Sequence, residues 1–190
     1  MTEDSCMNAT GEAILTDPDP HGHFVYPYTN ESQFSEAVCL FVSSGLRNGG
    51  SALLVMTDSH CGLIRTRLQD EGFDVADLEA HSQLLCVTAE SLLGTFMFDG
   101  IIDDYLCKIT IGKLIEKARA ASSNGEVRVF GEMVDLIWVP NPKATQRLEE
   151  LWNQVIKLHS VPLLCAYSLG GNRPDALPDA LAQCHSEVLA

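Results

Sequence analysis

Short apolar segments alternate with longer helix-periodic segments along most of the chain, and this alternation is the strongest constraint on its fold. The apolar segments are His23–Tyr28, Ala52–Thr57, Leu84–Thr88, Glu126–Phe130 and Pro162–Tyr167. Several of them are apolar at successive positions, which is typical of strands covered on both faces. Because strands separated by helices need crossover connections, the pattern predicts a three-layer α/β fold with a mostly parallel sheet and helices on both faces.

The segments between the predicted strands carry apolar residues at helical spacing. We predict helices over Glu31–Gly45, His60–Glu71, Ile109–Ser122 and Lys143–His159. Gly45 and Gly72 are interpreted as the stops of the first two helices. Residues Ala176–Val188 are expected to form one closing helix.

The length and composition of the chain favour one packed domain. It has 190 residues, of which 46% are hydrophobic and 20% are charged. Residues 1–20 are polar and end in the turn-rich sequence Asp17-Pro-Asp-Pro20. We therefore predict a flexible N-terminal arm over residues 1–20 and a single domain over residues 21–190.

Charge and hydropathy exclude several classes of protein. Lys and Arg number 12 against 26 Asp and Glu, so the net charge of −14 disfavours binding to nucleic acid or to an anionic membrane. No apolar run approaches the roughly 18 residues of a membrane span, and the N-terminus lacks the features of a signal peptide. We predict a cytoplasmic protein whose 7 cysteines are reduced and mostly structural.

The usual signatures of nucleotide and metal sites are missing. The loop Tyr28-Thr-Asn-Glu-Ser-Gln has neither glycine nor lysine, so the sequence predicts no phosphate cradle after the first strand and no cofactor. Gly45–Gly50 is glycine-rich but follows a helix, and is interpreted as a turn. The candidate metal ligands are His21 with His23 and Cys184 with His185. We interpret both pairs as turn or surface residues and predict no metal site.

Two further patterns bear on catalysis. No G-x-S-x-G nucleophile motif is present, although a Cys/His or Ser/His site built from distant residues stays open. Asp99, Asp103 and Asp104 are interpreted as the acidic N-terminal side of the following helix, where negative charge complements the helix dipole.

Glu132 is the most informative single residue of the stretch Arg128–Trp138. It lies at the carboxyl end of a predicted interior strand, where ligands bind in open parallel sheets. Arg128, farther back on this strand, shares the face of Glu132 if the extended run continues that far. Two interpretations stay open: a buried ion pair between the two residues, and a carboxylate that faces a ligand.

Segments with a family likeness follow one another over residues 21–189. They are His23–Tyr28, Phe41–Leu46, Thr57–His60, Phe96–Gly100, Val127–Val134, Leu148–Asn153, Leu163–Tyr167 and Cys184–Leu189. Together, and in this order, they resemble the MEDS family of methanogen/methylotroph, dichloromethane-regulator sensory domains. The resemblance implies a fold akin to RecA-type and circadian-clock-type ATPases, as a RecA-like core without a functional P-loop.

The resemblance also implies a function and a set of candidate residues. Members are sensory or regulatory input domains, joined to histidine kinases or to DNA-binding segments, and their proposed ligands are small molecules that include hydrocarbon derivatives. The candidates for a shared ligand pocket or switch surface are His23, Tyr28, His60, Arg128, Glu132, Trp152, Asn153, Cys165 and Tyr167. This sequence has Thr88 where relatives tend to have aspartate, and Ile102 where they have proline.

We therefore predict a stand-alone sensory or regulatory module of bacterial or archaeal signal transduction that is not an enzyme. It would bind a small ligand, or act in trans on a histidine kinase of a two-component system or on a transcriptional regulator, because the sequence ends just after the domain. The alternative is a remnant nucleotide-binding protein or a small-molecule enzyme that uses Glu132 with His23 or His60. A third hypothesis is an interaction protein without a ligand, and all three are compatible with a homo-oligomer.

Overall fold

A computed structural model describes residues 9–189. Its strands are β1 (His23–Tyr28), β2 (Ser51–Met56), β3 (Leu84–Thr88), β4 (Met97–Phe98), β5 (Ile101–Ile102), β6 (Val127–Gly131), β7 (Leu163–Ser168) and β8 (Glu187–Val188). Its helices are α1 (Ala9–Thr16), α2 (Glu31–Arg47), α3 (Asp58–Asp70), α4 (Val75–Ala80), α5 (Ala89–Leu93), α6 (Asp104–Ala121), α7 (Met133–Ile137), α8 (Pro142–His159) and α9 (Asp179–Ala182).

A six-stranded parallel sheet lies at the centre, in the order β3-β2-β6-β7-β1-β8. Strands β4 and β5 form a separate antiparallel hairpin. Helices cover both faces of the sheet, so the predicted three-layer α/β class is confirmed. None of the helices within residues 9–189 is both long and apolar enough to cross a membrane.

Successive residues of each strand point to opposite faces of the sheet, and each face has its own hydrophobic core. On one face, Phe130 of β6 packs in a core to which α2 and α3 contribute. On the other face, Val129 packs in a core to which α6 and α8 contribute. The sheet therefore separates the molecule into an α2/α3 face and an α6/α8 face, and the strand position of a residue decides the face to which it belongs.

The predicted strands agree with the observed ones to within one residue at each end. The structure differs from the prediction at the end of the first helix, at the closing helix and in the N-terminal arm. Gly45 does not stop the first helix, because α2 continues to Arg47. The predicted closing helix over Ala176–Val188 is wrong: α9 ends at Ala182 and β8 follows. The strand is favoured because the Ser186 and Leu189 N–H groups donate to carbonyls of β1. Within the predicted arm, residues 1–8 lie outside the described residues, and α1 packs on α2 with Leu15 fully buried.

The aspartates near the start of α6 and the cysteines were also assigned roles from the sequence. Asp103 caps α6 by accepting from the Leu106 N–H, and Asp104 lies in the first turn, as expected of residues that complement a helix dipole. Asp99 instead lies in the tight β4–β5 turn with a positive φ of 49°. The cysteines at positions 39, 61, 107 and 165 are buried and free, and Cys6 is outside the described residues.

Arg128 fastens α1 to the α2/α3 face of the sheet. Its guanidinium donates to the carbonyls of Leu15 and Phe41 at 2.8 and 2.7 Å, and to that of Thr16 at 2.8 Å. Gly45 makes this arrangement fit, because a Cβ there would lie 2.6 Å from Arg128 Cδ. Gly45 in α2 thus leaves room for the buried Arg128 side chain and does not end the helix.

We expect Arg128→Met to lower the free energy of unfolding by about 2–4 kcal/mol, because buried carbonyls lose their donor. Urea denaturation measures this change, and limited proteolysis should cut within α1 at a higher rate in the variant. The exposed Lys113 on α6 provides the matched control, since Lys113→Met should change stability by no more than about 0.5 kcal/mol. Equal stability of the two variants would contradict the anchoring role of Arg128.

Candidate functional site

The structure does not bring the candidate residues into one pocket. Tyr28, His60 and Glu132 lie at the carboxyl ends of strands, on the α2/α3 face. His23, Cys165 and Tyr167 lie on the α6/α8 face, where Asn153 joins them. The remaining candidates are apart from both groups: Arg128 anchors α1, and Trp152 is packed in the core beside Gly131. A ligand-binding role of these residues stays a prediction.

Glu132 has an identified set of partners, and Arg128 is not one of them. The Thr57 N–H donates to Glu132 Oε1 at 2.9 Å, and His60 Nδ1 lies 2.6 Å from Oε2. The Glu132 residue is only 3% exposed, so these contacts replace the water that a carboxylate needs. Of the two interpretations left open by the sequence, the ion pair with Arg128 is wrong, because the guanidinium extends toward α1, away from the carboxyl edge.

This carboxyl-edge site, defined by Tyr28, His60, Glu132 and Asp135, lies where the chain departs to both faces of the sheet. The connection after β2 leads to α3 on one face, and the connection after β6 leads through α7 to α8 on the other. The crevice between two such strands is the usual ligand position in an open parallel sheet. Glu132 and His60 bridge the two connections across that crevice.

The electrostatics of the carboxyl-edge site favour a protonated imidazole. The hydrogen bond with Glu132 raises the pKa of His60 in spite of partial burial, and Glu31 adds to this effect from the other side of the ring. His60 Nε2 lies 3.5 Å from Glu31 Oε1, which belongs to a side chain that is 72% exposed. The outer nitrogen of His60 therefore lies beside an exposed carboxylate, while the His60 side chain itself is 14% exposed.

The rest of this edge is also charged and hydrogen-bonded. Asp135 accepts from the Ser168 N–H at 2.8 Å and from Arg173 Nη1 at 2.8 Å. Burial raises the pKa of Asp135, and burial with the charges of Asp135 and Glu132 raises the pKa of Tyr28. The Tyr28 hydroxyl therefore stays protonated and available as a donor at neutral pH.

A second group of polar residues is enclosed on the opposite face of the sheet. We call it the buried polar cluster, and it consists of His23, Glu149, Asn153, Cys165, Tyr167 and His185. The Tyr167 hydroxyl donates to Glu149 Oε1. Glu149 Oε2 lies 3.3 Å from His23 Nε2, and Glu149 Oε1 lies 3.4 Å from His185 Nε2.

The sequence interpretation of the histidine pairs is wrong for one member of each. His23 is fully buried on β1, and the His185 side chain is fully buried against Glu149. His21 is exposed, and Cys184 is half-buried and hydrogen-bonded within its own turn. The first pair fails because His21 lies exposed in the turn before β1, and the second because the adjacent side chains of Cys184 and His185 point apart. The fold instead joins His23 to His185 through β1 and the segment before β8.

Sequence reasoning missed Glu149, and it named His185 only as a candidate metal ligand that it then interpreted as a turn or surface residue. A signal was present for Glu149, because it lies on the stripe of α8 that carries Leu148 and Trp152 and is as buried as they are. A carboxylate on an apolar stripe requires a partner. For His185 the signals were its place beside Cys184 and in a family-like segment, but the sequence does not show that residues 183–186 turn inward.

The buried polar cluster resembles a Cys/His/Asn catalytic arrangement in its order of contacts. His23 Nε2 lies 3.3 Å from Cys165 Sγ, and His23 Nδ1 lies 3.3 Å from Asn153 Oδ1. Its environment is unlike that of a nucleophile, because Cys165 is fully buried and burial, with the charge of Glu149, raises the pKa of the thiol. Burial also lowers the pKa of His23 to about 4.

We expect the Glu132→Gln variant to show a lower pKa for His60 than the native protein, measured by NMR titration of the ring protons. Because the folded-state pKa of His60 is raised, the contact stabilises the protein below the ordinary histidine pKa and this stability is lost as pH rises through the folded value. The destabilisation by Glu132→Gln should thus be larger at about pH 6 than at about pH 9. Glu90→Gln, on the exposed side of α5, should change neither quantity.

The chain has a clear match among protein families. The sequence model of the MEDS family, described as the "MEthanogen/methylotroph, DcmR Sensory domain", matches residues 22–186, which is nearly the whole chain. No curated protein matches the chain closely enough to count as a relative. The family match covers both the carboxyl-edge site and the buried polar cluster, and it supports a sensory or regulatory role. The chain therefore belongs to the MEDS family of sensory domains.

Proposed function

We propose that this sensory domain is a non-catalytic module that binds a small molecule at the carboxyl-edge site and passes the signal to a partner protein in trans. The observation that carries the ligand part is the His60–Glu132 contact of 2.6 Å across the crevice after β2 and β6. Glu132 fixes one nitrogen of the imidazole, and the other lies 3.5 Å from the exposed carboxylate of Glu31.

The chemistry of His60 suggests the kind of ligand. A protonated ring presents its Nε2–H as a donor, and the Tyr28 hydroxyl is a second donor on the same edge. Glu31, which is mostly exposed, occupies the acceptor position opposite Nε2. A small molecule with a carbonyl or carboxylate oxygen would take that position by displacing Glu31.

Ligand binding becomes a signal only if the ligand favours one of two conformations. Thr57 is the N-cap of α3 and also donates its N–H to Glu132, so the start of α3 and the end of β6 are held together by one carboxylate. A ligand on His60 would change this connection between two helices that pack on opposite faces of the sheet.

An exposed apolar surface supports a partner in trans. The paired residues Phe98 and Ile101 of the β4–β5 hairpin are 53% and 72% exposed. Tyr105 and Ile109, one turn apart on α6, are 69% and 36% exposed. A group of large apolar side chains at the surface is typical of a protein-interaction surface. The proposed partner is a histidine kinase or a transcriptional regulator, and a second copy of this chain is the other occupant that fits.

We expect a small molecule that raises the melting temperature of the native protein to have no such effect on His60→Gln or on Glu132→Gln. A thermal-shift screen of small carbonyl compounds and carboxylates provides the measurement. His81→Gln is the matched control, because His81 is an exposed histidine at the end of α4. A compound that stabilises all variants equally would place its binding site elsewhere.

We expect Ile101→Asp and Tyr105→Asp to abolish recovery of the partner by affinity purification from the native cell, while the fold is retained. Leu158→Asp is the matched control, because Leu158 is 76% exposed on α8 and lies outside the apolar surface. The proposal is supported if the native protein and the Leu158→Asp control recover a signalling protein and the other two variants do not. Failure to recover any signalling protein, together with a neutral deletion phenotype, would contradict it.

The second candidate function is catalysis by the Glu132–His60 pair. The geometry that favours it is the same 2.6 Å contact, since a carboxylate that orients an imidazole is a common arrangement of a general base. His23 cannot take part in such a pair, because it lies on the opposite face of the sheet. Turnover of ATP with magnesium that is lost in Glu132→Gln would favour this candidate, and absence of both binding and hydrolysis would contradict its nucleotide form.

A further inference from the structure

Four potential metal ligands converge inside the buried polar cluster. They are His23, Glu149, Cys165 and His185, and each offers one ligand atom within 4.8 Å of the others. The four side chains come from β1, α8, β7 and the turn before β8, so only the folded chain brings them together. The side chains of His23, Glu149 and His185 are at most 1% exposed.

Outer hydrogen bonds orient both imidazole rings toward the carboxylate. Asn153 Nδ2 donates to the Cys184 carbonyl at 2.9 Å, so its Oδ1 is the acceptor for His23 Nδ1–H. His185 Nδ1 donates to the Leu181 carbonyl at 2.9 Å. In a neutral imidazole the second nitrogen then carries a lone pair. Both Nε2 atoms therefore direct lone pairs toward Glu149, in the arrangement that outer partners give to metal-binding histidines.

The cluster leaves buried acceptors without donors. Among the described residues, Glu149 Oε2 and His185 Nε2 have no hydrogen-bond partner. The two imidazole nitrogens lie within ion-pair distance of the carboxylate, but the contacts are not aligned as hydrogen bonds. A fully buried carboxylate with a single hydroxyl donor is costly unless a cation compensates its charge.

Three of the spacings in the cluster are close to those of a tetrahedral ion, within a set of ligand atoms that lie up to 4.8 Å apart. Bonds of about 2.0–2.3 Å to nitrogen, oxygen and sulfur place tetrahedral ligands roughly 3.3–3.8 Å apart. His23 Nε2 lies 3.3 Å from Cys165 Sγ and 3.3 Å from Glu149 Oε2. His185 Nε2 lies 3.4 Å from Glu149 Oε1. The Tyr167 hydroxyl on Oε1 would hold the carboxylate as an outer partner.

We propose that His23, Glu149, Cys165 and His185 bind a single zinc ion. Two neutral imidazoles, one carboxylate and one thiolate balance the two positive charges of Zn²⁺, and the thiol proton is released to solvent on binding. Because all four positions are filled by protein atoms, the site has the form of a structural or sensory zinc site and not of a catalytic one.

The ion would join the C-terminal segment to the sheet. His185 is the one ligand carried by residues 169–189, whereas the other three belong to β1, α8 and β7. Zinc would therefore favour the docked form of residues 169–189, in which His185 contacts Glu149. A zinc ion that enters the buried site requires His185 to move away. The inference is independent of the proposed small-molecule site, which lies on the opposite face of the sheet.

The purified full-length chain, loaded with zinc and dialysed against metal-free buffer, should hold one zinc ion per chain by elemental analysis. In competition with a chelating dye, Cys165→Ser and His185→Gln should each weaken zinc binding by at least about 100-fold, because an outer partner alone contributes roughly 10–100-fold. Asn153→Ala, which removes such an outer partner and retains every ligand, should fall within that 10–100-fold range.

Cobalt reports the ligand set directly. The Co²⁺-loaded protein should show a thiolate-to-cobalt absorption band that is present in Cys184→Ser and absent in Cys165→Ser. Cys184→Ser is the matched control, because Cys184 adjoins His185 and its thiol donates to the Ala180 carbonyl within its own turn. The zinc affinity of this variant should stay within about twofold of the native value. Zinc should also slow proteolysis of residues 169–178.

Several results would overturn the zinc site. A native chain that is folded by circular dichroism and holds no zinc after loading would do so without any variant. If the cobalt band were lost in Cys184→Ser and retained in Cys165→Ser, the thiolate ligand would be Cys184 and not Cys165. Equal zinc affinity of the native chain and Asn153→Ala would contradict the oriented imidazole of His23.

Discussion

The alternation of side chains along buried parallel strands determines where every polar group of this domain can act. His23 and Cys165 share one face of the sheet, and Arg128 shares the other with Glu132. Because helices cover both faces, a side chain cannot be reached from the side to which it does not point. The result is two polar sites separated by the sheet, in place of the single pocket that the family likeness suggested.

The buried charges of the two faces are compensated in different ways. Arg128 is a cation whose donors meet neutral carbonyl oxygens of α1 and α2, and the charges of Glu126 and Asp17 also favour its charged form. Glu132 is an anion compensated by an imidazole and a backbone N–H. Among the charged residues that are buried within residues 9–189, Glu149 is the anion that faces further acceptors, and a cation is inferred at this position for that reason.

The sequence was sufficient for the layers of the fold and for its strands, because apolar runs and helical spacing depend on neighbours along the chain. It was insufficient wherever distant residues decide the outcome. Gly45 reads as a helix stop until Arg128 is known to pass over it. The end of the chain reads as a helix until the edge of β1 is known to accept its N–H groups. Glu132 was recognisable from its strand position, but its partner His60 depends on how β2 and β6 meet.

One segment of the chain contacts both polar sites, and this bears on how a sensory domain of this fold could respond. Arg173, after β7, binds Asp135 at the carboxyl edge, and His185, farther along the same segment, reaches Glu149 on the α6/α8 face. Docking of the segment therefore depends on contacts at two places that the sheet keeps apart. If a ligand at each place binds only the docked form, each ligand raises the affinity for the other by an equal factor.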